Sequence, residues 1–155
     1  MKRILVIAVV ATLTTLWAAE PAGFSLWSGK TMQTYGKILA PKMNAQKVAT
    51  ETLGGYGNHS VMVAYREASG EAELHENQAD IFIVQSGQAT LVVGGTIAGG
   101  RSTAPGEIRG TSISGGEKKP LAEGDIVHIP ARVPHQVLLE NGRPFTYLIV
   151  KVDSK

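Results

Sequence analysis

Glu73, His75, Asp80 and His135 are the residues whose types and spacing could do chemistry in this chain. Glu73 and His75 stand two apart, Asp80 follows after four residues, and six more lead to Gly87. Further on, Gly124 is followed after five residues by Pro130-Ala131-Arg132-Val133-Pro134-His135. Two imidazoles and two carboxylates suit a divalent cation, with coordination positions left for water or substrate. With neutral imidazoles the two carboxylates balance the charge of such an ion. Mixed oxygen and nitrogen ligation fits Mn(II), Fe(II), Ni(II) or Zn(II). A carboxylate not used as a ligand, Glu73 or Asp80, could act as a general base. The bland alternative is that these side chains are hydrogen-bonded polar groups of a pocket.

The elements that must position them read as β-structure. Residues 73 and 75, two apart on a strand, point to the same side. His59 to Glu67 is a strong strand pattern, Val48 to Leu53 a weak one ending at Gly54-Gly55, and Ala72 to His75 a short one. Asp80–Gln85 and Gln88–Val93 flank Ser86-Gly87 and read as a hairpin. Ile126–Ile129, Gln136–Glu140 and Phe145–Val152 close the chain, with Asn141-Gly142 expected as a second hairpin turn. Residues 94–117 carry eight glycines and read as a long loop with one strand at Glu107–Ser114, a candidate lid over a pocket. Its Gly-Gly pairs are followed by no Lys-Ser or Lys-Thr, so a phosphate loop is not indicated. About eight or nine short strands with closely spaced turns predict an all-β sandwich or barrel.

Ahead of the strands, residues 1–19 have the form of a secretory signal peptide. Lys2 and Arg3 precede an apolar run from Ile4 to Leu16, and Ala18 and Ala19 supply small residues for cleavage. That run is short for a membrane span. Periplasmic or secreted localisation follows as an expectation, with no stable membrane anchor after processing; an uncleaved N-terminal anchor is the alternative. Residues 20–45 form an arm and a short helix; Met32, Tyr35, Ile38 and Leu39 make its apolar stripe, Ser28 its cap and Pro41 its stop. Residues 46–155 are the β-domain. Subtracting Lys2 and Arg3 from 15 basic residues leaves 13 against 13 acidic ones, so charge gives no argument for nucleic acid. With no Cys, disulfides and thiolate ligands are excluded.

These motifs resemble those of the cupins. The first cupin motif is Gly-x5-His-x-His-x3–4-Glu-x6-Gly. Aligned on Gly87, Asp80 takes the Glu place, His75 the second His and Glu73 the first, while Glu67 stands where Gly is expected. Placing His75 as the first His instead would require an acid at position 81 or 82, which are Ile81 and Phe82. In the second motif, Gly-x5-Pro-x-Gly-x2-His-x3-Asn, Gly124, Pro130 and His135 match, whereas Arg132 and Leu139 replace the second Gly and the Asn. The resemblance implies a double-stranded β-helix, a jelly-roll barrel, with a metal in its mouth held by Glu73, His75, Asp80 and His135. It supplies the meeting of His135 with the other three, which spacing alone does not.

Other residues are candidates for the substrate. Arg132 could clamp a carboxylate, with a solvated loop arginine as the alternative. His59, Tyr65 and Gln85, with Arg66 and Tyr147, could line the cavity. His128 lies between apolar neighbours and reads as a buried structural histidine. Two functions compete: a metal-dependent enzyme acting on a small organic molecule by oxygen, isomerase or lyase chemistry, and a non-catalytic binding or sensing module. A homodimer, formed through sheet edges and the arm, is a further option.

Overall fold

The computed structural model describes residues 19–140 and 143–154. The signal-peptide expectation falls, except for Ala19, outside the described residues. The first ordered elements are two short helices, α1 (Gly29–Met32) and α2 (Tyr35–Leu39), continued by a 3₁₀ turn at Ala40–Lys42. Ser28 caps α1 by accepting from the Thr31 amide at 3.1 Å. The expected single helix is thus divided. Pro41 sits inside the 3₁₀ turn, where its missing N–H costs nothing, and the chain leaves the helix at Met43.

Thirteen strands follow among the described residues. They are β1 (Val48–Gly55), β2 (His59–Arg66), β3 (Ala72–His75), β4 (Gln78–Ser86), β5 (Gln88–Val93), β6 (Thr96–Ala98) and β7 (Arg101–Ala104). The remainder are β8 (Glu107–Gly110), β9 (Ser112–Ser114), β10 (Glu117–Ala122), β11 (Ile126–Ile129), β12 (His135–Leu138) and β13 (Phe145–Asp153). One sheet has the order β1-β2-β13-β4-β11 and the other β10-β5-β12-β3-β8-β7; β6 and β9 form a separate ribbon. Every pairing is antiparallel.

Strand alternation splits the apolar residues into two cores. Phe82, Val84, Leu91, Leu121, Ile129, Val137, Phe145, Tyr147 and Ile149 fill the space between the two sheets. On the outer side of the first sheet, Val63 and Tyr65 meet Met32, Tyr35 and Leu39 from the helices. This outer layer explains why β2 is apolar on both faces: one face looks into the barrel and the other under α1 and α2. Ile38, expected in the helical stripe, is 40% exposed; Tyr35 and Leu39, four apart on α2, take the face toward the sheet.

Two expected hairpins do not pair their flanking strands. β4 and β5 belong to different sheets, so Ser86-Gly87 carries the chain across the barrel edge. Gly87 has φ +85°, and a Cβ there would run into the Pro144 carbonyl oxygen. Only glycine satisfies both demands. β12 and β13 also lie in different sheets, and Asn141-Gly142 falls outside the described residues. The glycine-rich stretch is not one loop either. Its glycines at positive φ, Gly94, Gly95, Gly99, Gly106 and Gly115, are turns between short strands. β8 from this stretch adds to the second sheet beside β3.

Candidate metal centre

Register brings the chemistry together. On the second sheet, β3 lies between β12 and β8: Glu73 pairs with His135 on one side and with Arg109 on the other, and His75 pairs with Glu107. On the first sheet, Asp80 of β4 pairs with Lys151 of β13. The two groups face each other across the barrel. Carboxylate and imidazole atoms of Glu73, His75 and His135 lie within 4.8 Å of one another, a group that could hold a metal ion. Asp80 lies against the same imidazoles, with Oδ2 3.2 Å from His75 Nε2 and 3.5 Å from His135 Nε2.

Both imidazoles are oriented from behind. Nδ1 of His75 is 2.8 Å from each carboxylate oxygen of Glu107, and Nδ1 of His135 donates to the Val133 carbonyl at 3.1 Å. An acceptor on Nδ1 fixes the proton there and leaves Nε2 as the free lone pair. The two Nε2 atoms therefore converge on Asp80 and Glu73. A lone pair facing a carboxylate needs a proton or a cation between the two. Lys151 meets that requirement: its Nζ donates to Asp80 Oδ1 at 2.9 Å and to His75 Nε2 at 2.8 Å.

The charges respond to this enclosure. Asp80 is 2% exposed. Burial opposes its ionisation, but the hydrogen bonds that His135 and His75 make to it when their Nε2 is protonated, with the Lys151 charge, hold its carboxyl far below the usual carboxylate range. For His75 burial disfavours the imidazolium and Lys151 repels it. The Asp80 hydrogen bond, with the charges of Asp80 and Glu107, outweighs both and raises its pKa. A proton on His75 and the Lys151 contact are alternatives, since both use Nε2. Glu73 is held by Arg109, whose Nη1 donates to it at 2.7 Å.

The expected substrate contacts lie elsewhere. Arg132 is exposed; its Nε donates to the Glu76 carbonyl and its amide to the His75 carbonyl, so it braces the loop in a left-handed conformation (φ +66°) rather than reaching into the barrel. Tyr65 lies on the outer face under the helices and donates to Glu67 at 2.6 Å; burial and that carboxylate push its pKa up to about 12. Gln85 shares the same outer phase, beside Met32 and Gly36. His59 stacks on Tyr56, bonded to Asn58, at the far end of β2. His128 is exposed on the edge strand β11 rather than buried. The barrel cavity, about 170 Å³, is lined by Arg66, Glu73, Asp80, Phe82, His135, Tyr147 and Lys151 among others.

Glu107, Arg109 and Lys151 are the site residues that sequence reasoning missed. Lys151 had a signal, because it continues the inward phase of Tyr147 and Ile149 along β13. A lysine on that phase is conspicuous in an otherwise apolar row. Glu107 and Arg109 lie within the strand expected at Glu107–Ser114, whose first half is β8, but no local pattern placed that strand beside β3.

No family model and no curated protein matches the chain. Solved structures do. An uncharacterised Klebsiella pneumoniae protein with a double-stranded β-helix domain aligns with a TM-score of 0.57 and 15% identity, over 84% of this chain and 90% of its own. A Thermus thermophilus protein gives 0.55 and 20% identity, over 77% and 94%. A cupin 2 conserved barrel domain protein from Rhodopseudomonas palustris gives 0.50 and 19%, over 69% and 61%. At these identities the likeness is one of architecture, and it agrees with the two-sheet topology. The chain has the double-stranded β-helix fold of the cupins.

Proposed function

We propose that this protein is an exported, single-domain metalloprotein that binds a small organic molecule inside the barrel and acts on it. The observation that carries the reading is the orientation of the two imidazoles: each Nδ1 is held by an acceptor, and both Nε2 atoms point at carboxylates. Glu73, His75 and His135 would hold the ion, with Asp80 beside them. Mn, Fe, Ni or Zn all suit the donors. When bound, the ion would supply Lewis-acid polarisation of a substrate oxygen or, as iron, oxygen chemistry. The remaining work falls to the chain. Glu107 fixes the His75 ring and Arg109 holds Glu73. Asp80, held far below its usual range, is a lasting counter-charge and a weak base. With Glu73 engaged by the ion and by Arg109, a proton acceptor would have to come from the ligand or from water on the ion.

Lys151 must withdraw from His75 Nε2 before a metal can be ligated there; it is partly exposed, on a flexible stem. The same contact favours a second reading, a non-catalytic binding module in which Lys151 takes the place of the metal. One experiment separates them. Protein recovered after export, whose intact mass places its first residue at 19 or 20, is freed of metal and titrated with Mn(II) or Zn(II), alongside Lys151→Met. Metal binding that tightens in the variant supports the metalloprotein. No binding by either protein, with a less stable variant, supports the lysine-occupied module. A full-length unprocessed chain contradicts export.

A further inference from the structure

Arg66 is the one basic group of the cavity wall without a carboxylate partner among the described residues. The acids that line the cavity are all taken. Arg101 Nη2 donates to Glu71 at 2.8 Å, Arg109 holds Glu73 at 2.7 Å and Lys151 holds Asp80 at 2.9 Å. Arg66 is 8% exposed and follows Met62 and Ala64 along the inward phase of β2. Its Nη2 donates to the Tyr147 hydroxyl at 3.0 Å, and its guanidinium carbon lies 5.7 Å from that ring centroid. Its Nε is buried with no acceptor at all. On the other side Gly70 passes so closely that a Cβ there would strike Nη1. Glycine at that position gives the guanidinium its room.

A buried charge without a counter-charge is costly, and a buried donor without an acceptor adds to that cost. Stacking on Tyr147 holds the plane of the group but neutralises nothing. A guanidinium presents its donors as a planar fork that matches a carboxylate. We infer that the missing partner is the ligand: the barrel takes a small organic carboxylate, its acid group on Arg66 and its other end toward Glu73, His75 and His135. This rests on the reading of the cavity as a small-molecule site. It assigns to Arg66 the clamping role that the sequence suggested for Arg132. The cavity volume of about 170 Å³ limits the ligand to a few carbons, since drug-sized sites run to about 300–1,000 Å³.

The test is calorimetric titration of the purified protein with sodium propionate and with its neutral isostere propionamide, at constant ionic strength. Wild type should bind propionate saturably and propionamide about tenfold more weakly or worse. Arg66→Met should weaken propionate by a similar factor and leave propionamide unchanged, with metal content as in wild type. Arg66→Lys, which keeps the charge but not the fork, should fall between; it and the amide comparison decide the matter should Arg66→Met not fold. Equal binding of acid and amide, wild-type propionate affinity in Arg66→Met, or no saturable binding by wild type overturns the assignment. Propionate binding that depends on Arg66 in protein that takes up no metal would support the anchor and refute the metal reading. Stoichiometric metal with no propionate binding would do the reverse.

Discussion

Asp80 shows at the scale of one residue how this barrel tolerates buried charge. Its carboxylate is enclosed, yet it meets His75, His135 and Lys151 within hydrogen-bonding or ion-pair distance. A group whose folded pKa is lowered contributes stability above its unfolded value, about 3.9, and that contribution is lost as pH falls toward the folded one. His75 runs the other way: its raised pKa contributes below about 6.5 and is lost as pH rises through the folded value. We predict that Asp80→Asn is less stable than wild type at pH 7 by about 1.5–3 kcal/mol. The gap should shrink between pH 4 and pH 2, where wild type loses the Asp80 contribution and the variant has none to lose. Urea unfolding at pH 7, 5 and 3 measures it; a gap independent of pH would refute this account of Asp80. At this scale the sequence revealed the pair at 73 and 75 through strand alternation. The place of His135 needed the cupin resemblance, because no local pattern brings position 135 to position 73. Arg132 misled because a charged residue in a loop can turn its backbone, and here it does so at φ +66°.

Strands were easier to read than their partners. β2, β3, β5 and β11 fall close to the ranges that alternation and turn residues predict, because period two and β-branched content are local properties. Sheet membership is not local. Ser-Gly at 86–87 is equally good chemistry for a hairpin and for a corner, and only the neighbour at Pro144 distinguishes them. Glycine hid β6 and β7 for a related reason: glycines at positive φ sit in the turns, and the strands between them are only three or four residues long; the strand expected at Glu107–Ser114 is present but divided into β8 and β9. The corner makes a prediction at the element scale. Gly115 and Gly87 both have positive φ, but a Cβ at Gly115 would meet nothing, whereas at Gly87 it meets backbone. Gly115→Ala should cost about 1–2 kcal/mol, the left-handed penalty alone. Gly87→Ala should cost clearly more, because the Pro144 segment must also shift. Thermal unfolding of the two variants decides; equal losses would mean that the corner contact carries no energy.

At the scale of the whole molecule, two sheets close on a core at one end and leave a polar cavity at the other. The helices add a second apolar layer outside, with Leu39 fully buried against β1 and β2. No helix among the described residues is long and apolar enough to cross a membrane. The fold class was legible because many short alternating strands admit few architectures, and the motif residues narrowed them to one. Solved structures of this shape share only 15–20% of their residues with the chain, so most individual residues can change while the architecture stays. Function was less legible, since residues around the site sit on a strand whose partner is not a local property, β8 beside β3, or on the inward phase of β13. The central claim is that the barrel is built around a metal ion. Elemental analysis of the protein, purified without added metal or chelator and compared with His75→Ala, tests it most directly. The account predicts near-stoichiometric metal in wild type and little in the variant, with the β-fold intact in both. Wild-type protein that stays metal-free after reconstitution, or a variant that keeps its metal, would contradict it.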